Sequence, residues 1–104
     1  MTSQGTVHGR FQRAIQRRHL FAAETAAREL GGFNLADALD LTLLIRETDR
    51  WRYERAAVRW LKRFIEERRP TFSELALASA ALAEMGGAGD ASLRDLLRAP
   101  REKR

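Results

Sequence analysis

Apolar residues recur every three or four positions along nearly the whole chain, the period of an amphipathic helix, and the polar punctuation between them falls where helices start and stop. Val7, Phe11, Ala14 and Ile15 share one face of a helix predicted from about Thr6 to Arg18. A second helix runs from about Leu20 to Leu30 and ends at Gly31-Gly32, because glycine takes the left-handed conformation after a helix without a Cβ clash. Asn34 reads as an N-cap, with Asp37 placed to meet the exposed amides and the helix dipole. The helix it starts, Leu35 to about Thr48, is apolar almost all round, a pattern expected of a helix covered on several sides. Its polar strip is acidic: Asp37, Asp40 and Glu47. A turn around Asp49 leads into the longest helix, about Arg50 to Arg69, stopped by Pro70. Thr71-Phe72-Ser73-Glu74 is a capping box that opens an alanine-rich helix from Phe72 to Met85, closed by Gly86-Gly87. After Ala88-Gly89-Asp90, either Asp90 or Ser92 is expected to cap a last short helix carrying Leu93, Leu96 and Leu97.

The expected fold is therefore all-α, with about six helices as three antiparallel hairpins, arranged as a short repeat-like stack or a compact helical bundle. Residues 1–99 are expected to form a single all-helical domain, and residues 100–104 a basic, frayed tail. Only two prolines, only Val7 and Val58 as valines, and an abundance of Ala, Leu, Arg and Glu favour helix over strand. Weak internal repetition points the same way. Glu24-Thr25-Ala26-Ala27 and Glu54-Arg55-Ala56-Ala57 sit at matching places in the second helices of two hairpins, and Asn34-Leu35-Ala36-Asp37 and Thr71-Phe72-Ser73-Glu74 match as helix openings. Spacings of about thirty to thirty-seven residues lie in the range of helical-hairpin repeats. In layout and size the chain resembles a short tetratricopeptide- or HEAT-like stack. It lacks the large–small signature of the tetratricopeptide repeat, so no peptide-binding residues carry over. It is also similar to the small all-helical proteins of GC-rich actinobacterial type, a likeness that implies no activity.

A hydrophobic content of 44% with 32% charged residues describes a folded chain rather than a disordered one. The absence of cysteine removes disulfides, thiol catalysis and thiolate metal sites from consideration. The N-terminus has no apolar core of signal-peptide length, and the longest uncharged apolar-leaning run, Leu75 to Ala83, is too short to span a bilayer. The cytoplasm is the expected location, with no membrane partner.

Little in the sequence points to catalysis. His8 and His19 lack an obvious third ligand, so solvated histidines are expected rather than a metal site. Asp37, Asp40 and Glu47 are expected to form salt bridges, because paired carboxylates do acid–base work only where a pocket shifts their pKa values. Gly31-Gly32 and Gly86-Gly87-Ala88-Gly89 follow helices, whereas a phosphate-binding loop follows a strand. No serine or threonine stands in a nucleophile elbow. No catalytic, cofactor-binding or metal-binding residue is therefore nominated, no small-molecule substrate is indicated, and the chain is expected not to be an enzyme.

One surface does stand out. On the fourth helix Tyr53, Ala57, Trp60, Leu61 and Phe64 fall on one side, and Arg52, Arg55, Arg59, Lys62 and Arg63 on the other, interrupted only by Glu66. Trp60 belongs to the core. Trp51, at the edge of the basic stripe, is either a staple at the helix start or an exposed aromatic beside arginines. Arg10, Arg13 and Arg17 line up along the first helix in the same way. The net charge of +5 is unevenly distributed: residues 1–23 carry no acid, 24–49 are net acidic, 50–69 basic and 70–97 acidic. Part of the stripe is thus expected to form internal pairs, with Asp37 or Glu47 as acceptors. Trp51, Arg52, Arg55, Arg59, Lys62 and Arg63 form the candidate binding surface. Its expected partner is another protein, or a second copy meeting an exposed apolar patch around Phe21, Phe33 or Trp51. The alternative is nonspecific nucleic-acid binding through the basic face.

Overall fold

Side-chain caps decide where most of the helices begin. A computed structural model of the protein describes residues 6–99. The expected tail at residues 100–104 lies outside them. Six helices follow in order: α1 (Val7–Gln16), α2 (Leu20–Leu30), α3 (Leu35–Thr48), α4 (Arg50–Arg68), α5 (Phe72–Ala83) and α6 (Asp90–Arg98). Thr6 accepts from the Gly9 amide at 2.9 Å, and Asn34 from the Asp37 amide at 2.8 Å. Thr71 and Glu74 form the reciprocal capping box. No described residue lies in a strand, and the fold class is all-α.

The differences from the sequence reading lie at helix ends. α1 stops at Gln16 rather than Arg18, because Arg18 takes a left-handed backbone (φ 58°) that turns the chain into α2. α4 ends at Arg68, and Arg69 adopts φ 48° ahead of Pro70, whose ring disfavours helical geometry in the residue before it. α5 gives way to extended backbone at Glu84, short of Met85. α6 has no side-chain cap: Gly89 stands at the capping position and Asp90 is the first helical residue. Close packing selects glycine there, since a Cβ on Gly89 would stand 2.8 Å from Cα and Cβ of Ala81 on α5.

Contacts divide the chain at Ala56 and Ala57 into two units, with α4 running unbroken through the division. In the first unit α1 and α2 form a hairpin across residues 17–19, and α3 packs on both. Their core is Phe11, Ala14, Ala23, Ala26 and Leu44. The small alanines let the backbones approach Phe11, which is fully buried and meets Phe33 edge-on at 5.5 Å. α3 is covered on several sides, as its sequence predicts: Leu35, Leu39, Leu43, Leu44 and Ile45 are buried, and so are Thr42 and Arg46. In the second unit α5 packs on α6, burying Ala78, Ala81, Leu82 and Leu93. Trp60 stacks on Phe64 one turn later in α4, and the Arg68 guanidinium donates to the Leu97 carbonyl at 3.1 Å.

Two substitutions test this packing by urea denaturation. Phe11→Ala is expected to cost about 3–5 kcal/mol, the loss of a fully buried aromatic plus the cavity left behind. Gly89→Ala is expected to cost about 1–3 kcal/mol, because α5 and α6 must separate to admit the methyl group.

Candidate functional site

Regular helix geometry sets the faces of α4. Tyr53, Ala56, Ala57, Trp60 and Phe64 are buried and fall within an arc of about 100° at 3.6 residues per turn. Leu61, at the edge of that arc, is half-buried. The opposite side is left to solvent and carries Trp51, Arg55, Arg59 and Lys62, while Arg52 and the half-buried Arg63 lie nearer the edge of the buried arc.

Those six do not behave alike. Arg52 is engaged: it reaches Glu24 on α2 and lies 3.5 Å from Asp49. The hydrogen bond to Glu24 raises the Arg52 pKa above its already high ordinary value, and the charges of Glu24 and Asp49 add to this against slight desolvation. Arg63 pairs with Glu67 one turn on. Arg55, Arg59 and Lys62 are exposed, and among the described residues none of them has an ion pair or a side-chain hydrogen bond. Trp51 is 97% exposed, so it is not a staple at the helix start. Two further apolar residues project beside it, Val58 at 59% and Ile65 at 44% exposure. Charge contrast along α4 passes over this pair; their spacing of seven and fourteen residues from Trp51 is the signal that marks them.

The other nominated groups find structural partners. Asp37 is buried, and its partner is His8 on α1, with Nε2 2.7 Å from Oδ2, rather than an arginine. His8 is therefore not a merely solvated histidine. His19 is not one either: it caps α2, its Nδ1 accepting from the Ala22 amide at 3.2 Å. The cation that meets Glu47 is Arg18, from outside the stripe. Arg10 pairs with Glu29 at 2.9 Å, so the basic row of α1 is partly neutralised. Of the apolar residues proposed for an exposed patch, Phe21 and Trp51 are exposed, whereas Phe33 is half-buried against the first unit's core. Among the described residues no three His, Asp or Glu side chains come together as a metal site, and no helix is long and apolar enough to cross a membrane.

The chain matches no protein-family model, no curated protein and no solved structure.

Two deletions separate the buried polar pair from the exposed one in urea denaturation. His8→Ala leaves the buried Asp37 carboxylate without its partner and is expected to cost about 1–3 kcal/mol. Arg52→Ala removes an exposed ion pair and is expected to cost less than about 1 kcal/mol.

Proposed function

We propose that this protein is a non-enzymatic interaction module, an adaptor built of helical hairpins, that meets another protein through the solvent-facing side of α4. The observation behind this reading is the neighbourhood of Trp51: an almost fully exposed tryptophan beside Arg55, Arg59 and Lys62, which have no partners among the described residues. Tryptophan and arginine are the residues most enriched among the anchors of protein interfaces, because each combines a large apolar contact area with directional polar chemistry. Arg52 and Arg63 support this role indirectly. Their pairs with Glu24 and Glu67 flank the exposed cations, so the free positive charge is concentrated on the middle of the helix. A helical-hairpin layout, which resembles tetratricopeptide and HEAT repeats in sequence spacing, suits presentation of one helix face to a partner. The absence of cysteine suits a reducing compartment, and the cytoplasm is the proposed site of action.

The competing reading, nonspecific nucleic-acid binding, draws on the same three cations. The two part on what the face touches. With a photo-cross-linking residue replacing Val58 in the full chain, exposure in native lysate is expected to give protein adducts that survive nuclease. Those adducts are expected to disappear when Arg55, Arg59 and Lys62 are all changed to Glu. Adducts that nuclease removes, with nucleic acid recovered from the untreated sample, would overturn the adaptor reading in favour of the alternative.

A further inference from the structure

The exposed side of α4 has an order that its charge alone does not reveal. Trp51, Arg55, Val58, Lys62 and Ile65 follow one another at spacings of four, three, four and three residues, and all five are exposed. That alternation is the heptad repeat of a helix seam, and it keeps the five side chains within an arc of about 80° along about 21 Å of helix. The apolar residues occupy one heptad position throughout and the cations the other. Arg59 flanks the seam next to Val58, and Glu66 flanks its far end beside Ile65.

We infer that this seam docks an acidic amphipathic helix of a partner protein, one that sets apolar side chains against Trp51, Val58 and Ile65 and carboxylates against Arg55, Lys62 and Arg59. The inference rests on the adaptor reading and names the partner's chemistry. A seven-residue apolar repeat gives continuous contact only to another helix crossing at a shallow angle, with its knobs seated between those of α4. The cations select the charge of that helix, since none is neutralised among the described residues. Self-pairing along the seam is disfavoured by the same pattern. A parallel copy would bring Arg55 and Lys62 against their own counterparts, and an antiparallel copy would press them onto apolar side chains. A nucleic acid would engage the cations and could stack on Trp51, but its phosphates would leave Val58 and Ile65 facing water or charge.

Fluorescence anisotropy on the full chain tests this with two labelled helical peptides of about 21 residues. Both carry leucine at one seam position, and they differ only in Glu or Lys at the interleaved one. The Glu peptide is expected to bind about ten-fold or more tightly than the Lys peptide. The double variant Arg55→Glu, Lys62→Glu is expected to reverse that order, a gain of binding that unfolding cannot produce. Val58→Asp, at an exposed position, is expected to weaken the Glu peptide by about ten-fold while circular dichroism shows unchanged helicity. Equal binding of both peptides, lost on Val58→Asp, would overturn the acidic-partner inference and leave the adaptor reading standing. Failure of both peptides, with binding of a thymidine oligonucleotide instead, would overturn both. Failure of both peptides, with binding of phosphatidylglycerol vesicles, would do the same in favour of a lipid surface.

Discussion

Helix α4 can bury only one side of itself, and what the protein offers to solvent depends on which side that is. Tyr53, Ala56, Ala57, Trp60 and Phe64 fix the rotation of the helix about its own axis. The transfer of Trp60 and Phe64 from water is worth about 1.5–3 kcal/mol each, far more than any single exposed ion pair on the opposite face. The core therefore decides, and the surface follows. With those residues turned inward, the basic positions and the row Trp51, Val58 and Ile65 must turn outward together.

Local neutralisation then divides the basic face. Glu24 lies within reach of Arg52, and Glu67 of Arg63, so both arginines are engaged before any ligand arrives. Two of the three acids of α3 are engaged away from the stripe. Asp37 is buried against His8 and Glu47 is met by Arg18, and both contacts serve the first unit. Among the described residues this leaves a short block of charge without an ion pair, Arg55, Arg59 and Lys62, interleaved with apolar residues. A surface that existed only to keep the chain soluble would not need Trp51 almost wholly in water, because exposed tryptophan opposes solubility.

Much of the fold was legible in the sequence because its signals are local. Asn34 and the Thr71–Glu74 box act on amides three residues away, Gly31 on the turn it occupies, and Pro70 on the residue before it, so α2 and α3 could be bounded without any knowledge of tertiary structure. The failures have the opposite character. Gly89 replaces a side-chain cap because Ala81, on another helix, leaves no space for a Cβ. His8 and Asp37 lie 29 residues apart and Arg52 and Glu24 lie 28 apart, so the pairing of each depends on how helices pack, which no local spacing encodes. Phe33 is expected from the sequence at an exposed apolar patch. Packing against the first unit's core, with Phe11 edge-on to it, draws it inward.

The candidate surface was half legible for a related reason. Charge contrast around the wheel marks the basic residues of α4 but gives no weight to Val58 and Ile65, which lie among them. Val58 and Ile65 are exposed because their places in the sequence put them outside the buried arc of the helix. An alternating seam needs no residue that is unusual on its own, only a repeat of seven residues laid across a repeat of 3.6. On a helix of nineteen residues the two periods drift apart by about 20° per heptad, so the seam stays in line for its whole length before that drift becomes significant. A helix of this length is long enough to present one continuous strip to a partner helix while its opposite side remains committed to the core. The same geometry that makes α4 a structural element thus leaves it free to act as a binding one.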